Sequence, residues 1–538
     1  MRRDGAFIFT AIVLIYFVLF LSACSPSESL NVILITLDTH RADYMSAYGE
    51  ALVSTPNLDL LAKEGMLFTN CFSPIPITLP AHSALFYSQP PHELKIYNNG
   101  ETLSTVDLKS LAEIFEENGY ETGAFVSLGV LLERYGLGKG FNTYSDQFPK
   151  TRWYLTAEEV NSRVLPWLGK QREKNFFVWI HYSDPHDPYA PPDLANDLKI
   201  SLNGSPFKEL CLQKNQVEDI ALHLNKGENM LRLEVANEFV QKEDAFLARL
   251  VQLELVPSSH VEETTLHFGR GWHNTNKGKH MMHFRNNAIL KIQSPKDQKG
   301  VILRLRGKLD MRSEGNREMY GREVEYLDSE IGSLFDELKR LDLFDKTIIV
   351  AVGDHGEGLG EYPSSHGGAH FGHIHYLYSV YLKVPLAIWD PSSKRKNQVI
   401  SRPATLMDIS PTVLSLMDWR IPPQMKGRNL LGGKKGDDTP TELFFETYAP
   451  EADFNRFAIL AFPHHLIYTL ETNVYELYDI SSDPLEKTDL FSVQEQNPKI
   501  NDLKQRLNSY TRTALSNRSV QKKDAKTLEI LKALGYIK

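Results

Sequence analysis

Three continuous apolar runs, each broken off by aspartate and histidine, limit what this chain can fold into. They are LNVILITLDTH from Leu30, NFFVWIHYSDPHDPY from Asn175 and KTIIVAVGDHGEG from Lys346. Without period-two alternation they have no solvent-facing side, so they read as strands buried on both faces of a parallel sheet covered by helices. Helical patterns lie between them. TPNLDLLAKEG, from Thr55, carries proline at its start and glycine at its end, and LKSLAEIFEENGY puts Leu108, Leu111, Ala112 and Phe115 on one face. YGREVEYLDSEIGSLFDELKRL, from Tyr320, is a long amphipathic helix, and ETGAFVS, from Glu121, is a further strand. The fold class expected is α/β: a doubly wound, mostly parallel sheet over residues 30–192 and 310–438.

Between 193 and 309 the rhythm changes to short segments such as DLKISLNGS, AILKIQS and KGVILRLRGKL, several alternating with period two. This is an all-β insertion, either a small sandwich or an enlarged antiparallel edge of the main sheet. Residues 439–538 form a smaller α+β portion that closes in the helix KDAKTLEILKALGYI, from Lys523.

The amino terminus carries a basic MRRDG, an apolar stretch too short for a comfortable membrane span, and LSAC from Leu21 to Cys24. The pattern resembles a bacterial lipoprotein signal. Residues 1–23 are then removed, Cys24 is lipidated and 24–29 form a tether; an uncleaved signal anchor is the other reading. Both make the chain extracytoplasmic and membrane-attached, and Ser25 after the cysteine favours the outer membrane of a Gram-negative cell over the cytoplasmic membrane. Cys71 and Cys211 fall in separate modules and read as free buried thiols. A formal charge of -9 over 538 residues gives no basis for a nucleic-acid partner.

Ligands of open parallel sheets sit beyond the carboxyl ends of strands. Asp38, then His181, Asp184, His186 and Asp187, then Asp354 and His355 occupy such ends, and two aspartates with a histidine make a divalent-metal site. A nucleophile is available in SPIPITLPAHSALF, where Thr78 opens a helix. Its hydroxyl can cap that helix, act as a nucleophile at a metal, or do both.

These blocks carry a resemblance. NVILITLDTHRADYMSAYG, TPNLDLLAKEGMLFTNCFS, GYETGAFVS, GLGKGFNTY, HYSDPHDPYAPP, DHGEGLGE, FGHIHYLYSVYLKVPLAIW and YELYDISSDPLEKTDL are similar, in order, to the sulfatase family of the alkaline phosphatase superfamily. The resemblance implies hydrolysis of sulfate esters, with relatives that cleave phosphate or phosphonate esters. It makes Asp38, Asp354 and His355 ligands of one divalent ion, with Thr78 beside them. Calcium is the ion the family implies, and manganese, magnesium and zinc remain open. His186 is implied to contact the transferring group or assist the leaving group, and His373 to lie near the leaving oxygen.

Three departures qualify the resemblance. Thr39 stands where the family has a second aspartate, Thr78 where it has the cysteine or serine that becomes formylglycine, and His82 where it has arginine. Formylglycine is therefore not expected, and catalysis is expected through a Thr78 alkoxide. A phosphodiesterase, phosphonate monoester hydrolase or phospho-group transferase is the alternative activity, and a non-catalytic lipoprotein binding anionic glycans is the alternative class. Partners expected are an anionic ester, a sulfated glycan or a phosphorylated lipid or glycan, and the membrane. Asp328, His366, His370, His373 and His375 are available for a second metal, but Asp328 reads as a solvated helix residue and His366 and His370 as parts of a glycine-rich loop. Arg270, Trp272 and His273 could form a ligand surface on the insertion.

Overall fold

The computed structural model describes residues 30–537 apart from 50–51, 104–107, 151, 188, 190, 192–196, 212–216, 237–247, 257–263, 269–271, 274–281, 285–286, 310–312, 365–368, 392–394, 433–441, 450–452 and 519–520. The signal-like segment with Cys24, and Arg270 and His366, lie outside the described residues.

The three apolar runs form the middle of an eight-stranded sheet. Asn31–Leu37 lies between Thr347–Gly353 and Phe176–Tyr182 and pairs in parallel with both. Glu121–Phe125 and Thr143–Ser145 continue one side in parallel. On the other side Leu386–Trp389 runs against the rest, followed by Met66–Phe68 and Gln398–Ile400. Every residue of the three central strands is buried, and their alternate side chains enter different layers. Ile33, Ile35, Val178, Ile180 and Ile349 pack with Leu58, Val160, Leu327 and Ile331 from helices on one face. Val32, Leu34, Phe177, Trp179 and Val350 pack with Leu85, Phe115, Ile409 and Val413 on the other. The sheet is therefore doubly wound, and each fully buried aliphatic side chain contributes about 1.5–3 kcal/mol.

The insertion is a sandwich of two five-stranded antiparallel sheets. Its interior is filled by Leu198, Ile200, Leu231, Leu233, Leu290, Ile292, Leu303 and Leu305. None of its described strands joins the eight-stranded sheet, so it does not enlarge an edge. Trp272 and His273 form a short strand of one of its layers. The carboxy-terminal portion is a four-stranded antiparallel sheet with the helix Pro498–Ser516. The chain then returns to the main body through the helix Ala525–Ala533. Cys71 is a buried free thiol. Among the described residues no helix is long and apolar enough to cross a membrane.

Asp328 corrects the expectation of a solvated residue. It is 1% exposed, and its carboxylate accepts from Leu58 N at 2.8 Å, Asn57 N at 3.0 Å and Asn57 Nδ2 at 3.0 Å. It satisfies the first amides of the helix Pro56–Glu64, whose own cap residue, Thr55, makes no side-chain cap bond. His370 also differs from its expectation. It lies in the strand Ala369–Gly372, buried, with Nδ1 2.8 Å from Tyr381 Oη.

Candidate active site

Strand register brings the polar ends together. Leu37 pairs with Gly353 and Tyr182, so Asp38 and Asp354 follow adjacent strands, and Thr36 pairs with His181. Asp38 N donates to Tyr182 O at 2.9 Å and Asp354 N to Leu37 O at 3.2 Å, which fixes both turns to the sheet. Thr39, in place of a second aspartate, has φ 57° and donates its backbone N–H to Asp354 Oδ1 at 3.1 Å. Its hydroxyl is turned away, onto Asp38 O at 2.7 Å.

The helix Thr78–Tyr87 starts at Thr78 itself, with Ile77 as the preceding cap residue and no side-chain cap bond. Asn99 Oδ1 accepts instead from Leu79 N at 2.9 Å. The Thr78 hydroxyl is thereby spared for the site, 3.3 Å from His355 Nε2 and 3.3 Å from Tyr536 Oη.

Asp38, Asp354 and His355 offer donor atoms within 4.8 Å of one another, and so do His82, His181 and Asp354. His355 Nε2 lies 3.4 Å from Asp354 Oδ2 and 3.8 Å from Asp38 Oδ1. Both oxygens of Asp38 and Oδ2 of Asp354 are buried without a hydrogen-bond partner. Burial, and then the charge of Asp38, push Asp354 well above the usual carboxylate range. Burial, and then His373, bring His355 down to about 3. Two carboxyls facing an unprotonated imidazole are a donor set that fits a divalent cation, whose charge would offset the cost of ionising Asp354 beside Asp38.

His82 is in the expected place but chemically committed. Nδ1 lies 2.8 Å from Thr78 O, to which it donates. Nε2 lies 3.0 Å from Thr36 Oγ1, which in turn accepts from Trp179 Nε1 at 2.8 Å. Burial, and then His181, lower its pKa to about 3, so it is neutral where the family has a cationic arginine.

His186 and His373 stand on the other side of Thr78. His186 donates from Nδ1 to Asp187 O at 2.7 Å, and its Nε2 lies 2.8 Å from Tyr536 Oη. His373 Nδ1 is 2.8 Å from Glu357 Oε2, and its ring centre is 4.4 Å from that of His355. Glu357, fully buried and pushed up to about 8 by burial, also accepts from Tyr189 Oη at 2.8 Å. Of the other strand-end acids, Asp184 Oδ1 accepts from Ala157 N at 3.1 Å, at the start of the helix Ala157–Lys170.

Sequence reasoning missed Tyr536 and Glu357. Glu357 was within reach, two residues past His355 in DHGE. Tyr536 was not, because it is 458 residues from Thr78 and reaches the site only through the docking of the last helix. Thr78, Asp38, Asp354 and His355 are at most 1% exposed. Tyr536 separates them from an outer cavity of about 170 Å³ lined in part by Ile77, Asn99, Ile374, Lys523 and Leu531.

The family model for sulfatases matches residues 30–419, and that for the N-sulphoglucosamine sulphohydrolase C-terminal region matches 369–513. The chain belongs to the sulfatase family. Among curated relatives of this sulfatase-family protein, the N-acetylglucosamine-6-O-sulfatase of Bacteroides thetaiotaomicron is 22% identical over 518 residues, covering 89% of this chain and 85% of that one. The arylsulfatase of Clostridium perfringens is 22% identical, covering 88% and 92%. Among solved structures, BT4656 in complex with its substrate D-glucosamine-2-N,6-O-disulfate aligns with TM-score 0.60 at 19% identity, covering 91% of this chain and 99% of that one. The phosphonate monoester hydrolase of Agrobacterium radiobacter aligns with TM-score 0.56 at 17% identity, covering 91% and 95%. At these identities the structural likeness is one of fold.

Proposed function

We propose that this sulfatase-family protein is a metal-dependent hydrolase of anionic esters whose nucleophile is the plain Thr78 hydroxyl. The observation that carries this reading is the placement of Thr78 Oγ1, which caps no helix and lies 3.3 Å from both His355 Nε2 and Tyr536 Oη in a fully buried polar cluster. Asp38, Asp354, His355 and Thr78 would hold one divalent ion, which when bound favours ionisation of the hydroxyl and neutralises charge on the transferring group.

The remaining residues have distinct tasks. His82 holds the first helical turn by its bond to Thr78 O, a positioning role and not that of a cation binding the ester. His186, whose Nδ1–H is held by Asp187 O, takes up the Thr78 proton on Nε2 through Tyr536 Oη and passes it to the leaving oxygen. His373, oriented by Glu357, lines the same space. In the first step Thr78 Oγ bonds to the acid centre and the ester's leaving oxygen departs as an alcohol. In the second, water attacks that centre and Thr78 Oγ leaves with a proton.

The second step decides between centres. A formylglycine hydrate expels sulfate by collapse to an aldehyde, and threonine has no such path. A threonine phosphoester can be hydrolysed by direct attack on phosphorus, so phosphate diesters and phosphonate monoesters are the expected substrates. Sulfate esters of glycans are the second reading, supported by what the curated relatives are named for. The sequence LSAC supports an extracytoplasmic chain anchored by lipid on Cys24.

A screen of the purified protein with Mn²⁺, Zn²⁺, Mg²⁺ or Ca²⁺ against matched aryl phosphate diesters, phosphonate monoesters and sulfates tests this. Turnover of a phosphorus ester is expected to fall at least about 10³-fold in Thr78→Ala and Asp354→Asn, as for loss of a nucleophile or metal ligand. Sulfate turnover lost in the same variants would overturn the preference for phosphorus. Turnover unaffected by Thr78→Ala would refute the nucleophile, and no turnover with tight binding of sulfated glycans would favour a binding protein.

A further inference from the structure

His181 has no part in the reaction described above, yet it is buried against the same carboxylates. Its Nδ1 is held by Ser127, 2.8 Å from Oγ and 3.4 Å from the backbone N, and the Ser127 hydroxyl donates to Ser183 Oγ at 2.8 Å. Its Nε2 is fully buried, without a hydrogen-bond partner and 3.3 Å from Asp38 Oδ2. His355 Nδ1 donates to Gly356 O at 3.0 Å and its Nε2 faces the carboxylates. Both oxygens of Asp38, Oδ2 of Asp354 and Nε2 of His181 are buried without a hydrogen-bond partner. Such a set of open polar atoms is unfavourable unless a cation lies among them. Histidines that bind metals characteristically have the second ring nitrogen held in place, as Gly356 O holds His355 and Ser127 holds His181.

We infer that His181 Nε2 is a further ligand of the cation held by Asp38, Asp354 and His355, and that two imidazoles with two carboxylates select a transition-series dication of the zinc or manganese class over calcium. Calcium takes six to eight oxygen donors, whereas imidazole suits the transition ions. His82, although near His181 and Asp354, is not a ligand, since its two ring nitrogens are spent on Thr78 O and Thr36 Oγ1. The inference rests on the reading of Asp38, Asp354 and His355 as metal ligands and departs from the calcium implied by family resemblance.

The test is metal affinity, measured without turnover. The metal-free full chain is titrated with Zn²⁺, Mn²⁺ and Ca²⁺ in competition with chelators, alongside His181→Ala, His181→Asn and Ser127→Ala. Wild type is expected to bind one equivalent of Zn²⁺ or Mn²⁺ at least about 100-fold more tightly than Ca²⁺. His181→Ala should lose about 100-fold in Zn²⁺ affinity with an unchanged circular dichroism spectrum, and Ser127→Ala about 10-fold, as for loss of an outer-shell partner. If the His181 variants do not fold, pulsed electron paramagnetic resonance of the Cu²⁺-loaded wild type counts the coordinated imidazoles, and two are expected. One imidazole, Ca²⁺ binding as tight as Zn²⁺, unchanged affinity in folded His181→Ala, or no dication binding would each overturn the inference. Zinc bound through His181 in a protein that hydrolyses nothing would refute only the Thr78 reaction, and turnover with one coordinated imidazole would refute only the role of His181.

Discussion

Asn229 in the β sandwich and Asp38 at the end of the first strand are both polar and fully buried, and the two regions treat burial in opposite ways. Asn229 Nδ2 donates to Asn225 O at 2.7 Å and Gly227 O at 3.2 Å, while its Oδ1 accepts from Asn225 N at 2.9 Å and Asn203 Nδ2 at 3.0 Å. Asp38 has no hydrogen-bond partner on either oxygen, and its nearest ring nitrogen, on His181, is 3.3 Å away. Around Asn229 the sandwich interior is aliphatic, and ion pairs such as Arg304–Asp219 lie at the surface. Around Asp38 lie Asp354, His355 and His181, all buried. Asn229, enclosed in the sandwich, closes a turn and completes its bonds locally. Asp38, at the strand end, is left open, which is the usual trade of stability for a binding site.

Removing an aliphatic side chain from the sandwich should break the first region with the largest effect on stability. Leu290 is fully buried in a layer with Leu231 and Ile292, and Leu290→Ala should cost about 2–5 kcal/mol in urea unfolding through lost transfer energy and the cavity left behind. Metal affinity at Asp38 and Asp354 should not change. A change of more than a few-fold would show that the two regions are coupled and the contrast is misdrawn.

The strand ends should respond with the opposite sign. Asp354 Oδ1 accepts from Thr39 N at 3.1 Å and His355 N at 2.7 Å, bonds an asparagine oxygen can keep. Its Oδ2, 3.4 Å from His355 Nε2, would become an amide nitrogen able to donate to that ring. Asp354→Asn also removes the buried carboxyl whose ionisation the charge of Asp38 opposes. In chelator the variant should be more stable than wild type by about 1–2 kcal/mol. With the metal present the order should reverse. A less stable metal-free variant would mean that the open carboxylates do not strain the fold.

Much of this architecture is legible in the sequence because continuous apolar runs leave few options for their surroundings. Asp38, Asp354 and His355 are legible for the same reason, since they end buried strands that do not need them to fold. Period-two alternation identifies the insertion as β but is identical for a sandwich and for an extended edge, so only the pairing separates them. The helical pattern around Asp328 shows which face is apolar, not that the amides of Asn57 and Leu58 arrive from 270 residues away. His82 is legible as a position and illegible as chemistry, because its neutrality comes from burial and from the neighbouring His181. Tyr536 has no local signature at all. Its relation to Thr78 exists only when the final helix docks.

Acid should separate the regions by the smallest margin. His40 is lowered to about 4 by burial, and His82 and His370 to about 3, chiefly by burial, and all three belong to the body around the central sheet. In the sandwich, His223 and His267 are exposed. A histidine whose folded pKa is depressed binds fewer protons folded than unfolded at every pH between the two values. Stability therefore rises with pH through that window, and what is fully present above about 6.5 is lost progressively as the pH falls toward the folded value. For one such group the loss between pH 7 and pH 5.5 is about 1 kcal/mol. Replacing His370 by glutamine, which can still accept from Tyr381 Oη, should remove that share and flatten the acid limb of a metal-free stability profile. Tryptophan fluorescence from Trp179, which is packed against His82, should report the loss. A profile that stays level down to pH 5, or a His370→Gln curve parallel to wild type, would show that these histidines are not held neutral by burial and that the contrast with the sandwich is one of geometry alone.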